Sequence, residues 1–211
     1  RGCGGSDGRP ARSIYRRFLP INRTIAIVLT YEGGSLAGSL SGNIPEAIVT
    51  CGLLHGQGSE GWTVEQSITS LKWTLAHEFG HVLGELGEEY EHPTRSGKYT
   101  AGPEDGIEYP NVTEETSRDR IRWKDWISPQ TPIPTPETES YSRVVGLFQG
   151  AGNLVNWYRP KLHCVMRDKG YPFCEVCREI LTRNIYGIVN PIDSVSVDVG
   201  DMATAFKLKL Q

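Results

Sequence analysis

The chain reads as an α+β domain. Three observations predict it: two short β-branched apolar runs in the first quarter, one long amphipathic helical pattern after them, and a second helical stretch near the C-terminus. Thr24-Ile25-Ala26-Ile27-Val28-Leu29-Thr30 is apolar almost throughout and too short for a helix, so it predicts a buried strand. Ala47-Ile48-Val49-Thr50-Cys51 is the second strand candidate, reached through a Gly/Ser loop over residues 33–43. The main helix is expected from about Thr63 to Leu83. Thr63 and Gln66 have capping-box spacing, each side chain answering an orphan backbone donor. Val64, Ile68, Leu71, Leu75, Phe79 and Val82 recur every three or four residues, which draws one apolar stripe. Gly84 is the expected left-handed stop, since glycine takes positive φ at no steric cost. Residues 91–139 are polar and broken by proline. The run Pro129–Pro136 cannot be helical, and an excursion this long in a compact domain is expected to be clamped or functional. Cys174–Tyr186 predicts the second helix, and strands follow from Asp193. There is no internal repeat.

Bulk properties narrow the function classes. A chain of 211 residues can hide roughly 70% of its unfolded surface, enough for a substantial core. It is 38% hydrophobic and 22% charged, with a net charge of -3 and a pI of about 6.0. Nothing in that balance suggests a nucleic-acid partner. No apolar run reaches the roughly 20 residues of a membrane span. The start at Arg1 and the end in the alternating Phe206-Lys207-Leu208-Lys209-Leu210 read as cuts in a longer protein. The expected organisation is a linker or tail over 1–19, a catalytic domain over 20–190, and the start of a β module over 191–211.

His77-Glu78-Phe79-Gly80-His81 carries the chemistry. Residues four apart on a helix lie one turn up the same face, so both imidazoles can reach one ion. On a helical wheel the histidines lie opposite the Leu71–Leu75–Phe79 stripe, so one side is expected to pack while the other faces a cleft. Glu78 sits about 100° round from His77, placed to take a proton from a metal's water without ligating the metal. The five-residue pattern alone is short and admits chance matches. Its position on a helix, with the glutamate present and Gly84 three residues after His81, favours a real zinc site.

The wider string His77-Glu78-Phe79-Gly80-His81-Val82-Leu83-Gly84-Glu85-Leu86-Gly87-Glu88-Glu89-Tyr90 resembles the IgA-peptidase family of bacterial zinc metallopeptidases. The resemblance extends, in order, through Pro110-Asn111-Val112-Thr113, Lys124-Asp125-Trp126-Ile127 and Thr131–Pro136. It continues through Tyr158-Arg159-Pro160, Cys164-Val165-Met166 and Phe173-Cys174-Glu175-Val176-Cys177, and covers roughly residues 20–190. It implies a metzincin-like zinc peptidase domain with a twisted sheet and an active-site helix. Zn2+ is the implied cofactor and a protein or peptide the implied substrate. The implied location is secreted or cell-surface. A metzincin would place its third ligand at Gly87, which has no side chain. The resemblance moves that duty to Glu88, with Glu89 as second choice, against the reading of either as a carboxylate that merely orients a histidine.

Other residues admit two readings each. Met166 fits a Met-turn beneath the metal or an ordinary core methionine. Tyr90 and Tyr158 fit a cleft or a buried site with a hydroxyl partner. His55, His92 and His163 are expected outside the metal site. Cys164, Cys174 and Cys177, with His163 nearby, fit a structural zinc site, but an extracellular peptidase favours a disulfide from Cys164 to Cys174 or Cys177. The sequons at Asn22 and Asn111 read as accidental. By the same resemblance, the strand before the active-site helix is expected to pair with an extended substrate, and the 91–139 excursion is expected to cover or wall one side of the cleft. The function expected is zinc-dependent hydrolysis of peptide bonds in an extracellular protein or glycoprotein. Its rivals are a non-catalytic peptidase-fold module that grips protein or glycan, a zinc hydrolase of another substrate class, and a closed structural zinc protein. The first should lack Glu78 or a metal ligand, and the last should prefer cysteine ligands.

Overall fold

A computed structural model of the chain describes residues 26–30, 48–52, 63–91, 109–152, 154–189, 192–200 and 203–210. Strands β1 (Ala26–Thr30) and β2 (Ile48–Gly52) pair in parallel, Ala26 opposite Ile48 and Thr30 opposite Gly52. Helix α1 (Val64–Gly84) follows and lies against β2. Three short 3-10 turns come next, at Arg118–Arg120, Lys124–Trp126 and Glu139–Tyr141. An antiparallel hairpin of β3 (Phe148–Ala151) and β4 (Leu154–Arg159) leads to helix α2 (Glu175–Ile188). A second antiparallel pair, β5 (Ile192–Gly200) and β6 (Ala203–Leu210), ends the described chain. The mixture of helices with small two-stranded sheets is α+β. The β3–β4 hairpin had no periodic signal in the sequence: Gly150 and Gly152, both at positive φ, interrupt it.

Helix α1 starts as its sequence requires. Thr63 Oγ1 accepts from Gln66 N (3.2 Å), and Gln66 Oε1 accepts from Thr63 N (2.7 Å). The end differs from expectation. Gly84 is the last helical residue, and the left-handed position is Glu85 (φ 51). Gly84 is needed for closeness instead: a Cβ there would stand 2.7 Å from Leu86 Cγ and 3.2 Å from Leu181 Cδ2 of α2. The apolar stripe is a second correction. Val64 and Ile68 are 76% and 61% exposed, whereas the buried positions of α1 are Thr74, Glu78, Gly80 and Gly84. Trp73 and Ala76 join that face against the core. Small residues there let the core come close to the histidine-bearing turns.

That core is built from loops as much as from helices. Leu86, Trp123, Leu147, Val165 and Met166 are buried together, with Val176 and Cys177 of α2. The described part of the proline-rich excursion is clamped, as expected. Thr135 N donates to Leu147 O (2.7 Å), Leu147 N donates to Thr135 Oγ1 (2.8 Å), and Trp123 Nε1 donates to Gly146 O (2.8 Å). Helix α2 ties to the end of α1 through Asn184 Nδ2, which donates to Leu83 O (2.9 Å). Among the described residues no helix is long and apolar enough to cross a membrane.

Candidate metal centre

The last two turns of α1 present His77 and His81 on one side, and the chain doubles back after Gly84 to bring residues 86–89 across them. Each imidazole is held from behind by a backbone carbonyl. His77 Nδ1 donates to Val165 O (3.0 Å), and His81 Nδ1 donates to Leu86 O (2.6 Å). A carbonyl only accepts, so both Nδ1 atoms carry the proton and both Nε2 atoms present lone pairs in the neutral rings. Those two Nε2 atoms are 3.1 Å apart. Glu88 closes the triangle, with Oε2 3.1 Å from His77 Nε2 and Oε1 3.3 Å from His81 Nε2.

With both rings neutral, four electron-rich atoms converge on one point, an arrangement that could hold a cation. The spacing suits zinc. Ligands at about 2.0–2.1 Å in a tetrahedron lie about 3.3 Å from one another. Glu88 Oε2 is buried without a hydrogen-bond partner. It lies within ion-pairing range of His77 Nε2.

The electrostatics agree. Burial pulls both histidines down, but the hydrogen bonds and charge of Glu88 outweigh it and leave both above their ordinary value. Burial pushes Glu88 up, and the two imidazoles overcome that to hold it at about 2. Glu88 is therefore a standing anion between two rings that gain from a positive charge. Glu78 differs: burial raises its carboxyl despite the opposing influence of His81 and His77. A carboxylate oxygen of Glu78 lies within 4.8 Å of a ring nitrogen of each histidine, near enough to serve an ion's water. A buried carboxyl with a raised pKa holds a proton more readily than an ordinary carboxylate, as a group that takes and returns one needs to.

Of the two candidates for third ligand, the geometry favours Glu88. Glu89 is wholly buried and turns the other way. It accepts from Asn111 Nδ2 (2.9 Å) and lies 3.1 Å from Cys177 Sγ. At Gly87, the Tyr109 ring fills the space a side chain would need, 2.7 Å from a notional Cβ.

Tyr90 faces the centre. Its ring stacks on His77 at 6.3 Å, and burial together with the charge of Glu88 raises its hydroxyl pKa. Tyr158 instead packs at the edge of the core. Met166 is fully buried, with Sδ 2.4 Å from where a Cβ of Gly80 would stand, beneath the helix between the two histidines. His163 is outside the centre, stacked on Tyr171 and beside Asp168. His55 and His92 lie outside the described residues, as does Asn22.

One correction concerns the cysteines. Cys164, Cys174 and Cys177 are free thiols, so no disulfide joins them; Cys164 and Cys177 stand 3.8 Å apart, beyond bonding distance. The described part of the 91–139 excursion, from residue 109, braces the ligand segment from behind. Asn111 accepts from Gly87 N (2.7 Å) and donates to Gly87 O (3.0 Å). Its side chain is fully buried, which explains why the sequon there is accidental. Sequence reasoning missed Asn111 as a support, as it missed the carbonyls of Leu86 and Val165. Carbonyls carry no sequence signal.

Residues 61–141 match the family described as IgA Peptidase M64. The match bears out the family resemblance read from the sequence and spans α1, both histidines, Glu78, Glu88 and Asn111. No curated protein matches the chain. The family's description names a peptidase, whose substrate is a protein or peptide, and its members are metallopeptidases.

Proposed function

We propose that the chain is a zinc-dependent endopeptidase of metzincin-like design, with His77, His81 and Glu88 as metal ligands and Glu78 as general base and acid. One observation carries the reading: two lone-pair nitrogens and a charged carboxylate meet at about zinc-ligand spacing, with a raised, buried carboxyl beside them. A zinc ion held there would lower the pKa of its water from 15.7 toward roughly 7. Glu78 is placed beside that position and would take the water's proton and return it to the leaving amine. Val165 O and Leu86 O keep both rings in the tautomer that leaves Nε2 open. The substrate class proposed is an extracellular protein or glycoprotein, reached by a secreted or cell-surface enzyme. The peptide would lie along the strand before α1. The presence of Glu78 weighs against a binding-only module, which has no use for a buried proton acceptor.

The test is metal content and casein cleavage for wild type and Glu78→Ala. Metal in both with cleavage only in wild type is expected. Cleavage by the variant sinks the assignment of Glu78.

A further inference from the structure

We propose that Glu89, Cys164, Cys174 and Cys177 form a second, closed zinc site with a structural role, separate from the histidine centre. The four offer one ligand atom each, all within 4.8 Å of one another, and all four residues are buried. Cys164 Sγ and Cys177 Sγ stand 3.8 Å apart. That is the edge of a tetrahedron with Zn–S bonds of about 2.3 Å, whereas a disulfide needs about 2.0 Å. Cys177 Sγ to Glu89 Oε1 is 3.1 Å, about 0.5 Å inside the corresponding mixed edge of roughly 3.6 Å. Three sulfurs favour zinc over hard cations such as calcium or magnesium.

The second observation is Glu89 itself. Its side chain is 0% exposed. Oε2 has no hydrogen-bond partner, and no cation among the described residues stands within ion-pairing distance of the carboxylate. Burial raises the Glu89 carboxyl well above its ordinary value, so an ionised Glu89 is costly here unless a cation stands beside it, and a zinc ion held by the three sulfurs would supply one. A disulfide supplies no cation: it takes two thiols and leaves the third beside Glu89, with Oε2 still without a partner. Cys174 occupies the N-cap position of α2, where thiolates are favoured, and its N–H reaches Cys164 Sγ at 3.4 Å.

The site joins three separate pieces of chain that hold the histidine centre. Glu89 adjoins Glu88, and its N–H donates to Met166 O (3.0 Å). Cys164 adjoins Val165, whose carbonyl holds His77. Cys174 and Cys177 anchor both to α2. A metal here fixes Glu88 relative to the turn behind His77.

The test uses the full chain loaded with zinc, and in parallel with cobalt. Wild type is expected to hold two equivalents, and its cobalt form to show thiolate-to-cobalt charge transfer in the near ultraviolet. The histidine centre has no thiolate and cannot give that band. The double variant His77→Ala/His81→Ala should keep one equivalent and the full band, while Cys177→Ser should lose one equivalent and weaken the band. One equivalent in wild type without the band overturns this proposal and leaves the peptidase reading standing. One equivalent with the band supports this site and overturns the histidine centre. A disulfide among the three cysteines, found by non-reducing peptide mapping of wild type, overturns the proposal as well.

Discussion

Replacing Asn111 by alanine removes a carboxamide that satisfies both backbone groups of Gly87, the residue between His81's acceptor and Glu88. Asn111 and Gly87 are buried, so no water stands ready to take over. Each buried group left unsatisfied costs about 1–3 kcal/mol, so the orphaned N–H and C=O together cost about 2–6 kcal/mol. Glu89 Oε1 loses its bond from Nδ2 in addition. Against a typical total stability of 5–15 kcal/mol this is a large fraction. With a urea slope of about 2–3 kcal/mol/M, the midpoint should fall by roughly 0.7–3 M at equal zinc excess. Zinc affinity, read by chelator competition, should weaken about 10- to 100-fold because the Leu86–Glu88 segment is no longer held. Asn111→Asp should fare no better at neutral pH: it keeps an acceptor for Gly87 N but sets a second carboxylate against Gly87 O and Glu89. A loss under about 1 kcal/mol with unchanged zinc affinity would refute the bracing role.

His81→Ala should abolish metal binding at the histidine centre. A retained equivalent in a cobalt form lacking thiolate charge transfer would remove His81 from the ligand set. Gly80→Ala gains about 1 kcal/mol of helix propensity but drives a methyl onto Met166 Sδ at 2.4 Å. Overpacking costs about 1–3 kcal/mol, so thermal denaturation should show a variant no more stable than wild type. Gly187→Ala, in α2 with nothing within 4 Å, should be neutral or stabilising. The pH dependence of the metal-free protein follows from its ion triad. His77 and His81 have folded pKa values above 6.5, so their contribution is full below 6.5 and is lost as pH rises through the raised values. Glu88 is depressed to about 2, so its contribution is full above 4.5 and is lost as pH falls toward 2. The triad should therefore stabilise the chelated chain most between about pH 4.5 and 6.5. His81→Ala should flatten the alkaline side of a denaturation-versus-pH series, and an unchanged slope would reject the triad as its source.

Much of the helix bearing the site was legible because its signals are local. The Thr63–Gln66 cap, the four-residue histidine spacing and the intervening Glu78 all lie within about six turns of one helix, and helical geometry alone converts their order into a shared face. Helix α2 and the strand runs were readable for the same reason. The sequence could also name Glu88 and Glu89 as candidates, since both follow the helix closely. It could not choose between them, because adjacent residues after a helix end point in different directions according to what the chain packs against. Tertiary contacts decided that. Gly84 lets α2 and Leu86 close on α1, and Asn111 pins Gly87 from 24 residues away. Glu88 is thereby turned onto the histidines and Glu89 into the cysteines. The carbonyls that orient the imidazoles belong to Leu86 and Val165, and every residue has a carbonyl, so only the fold distinguishes these two. Which face of α1 is buried was likewise a tertiary decision: hydrophobicity drew the stripe through Val64 and Ile68, but the small residues Gly80 and Gly84 allowed the core's closest approach.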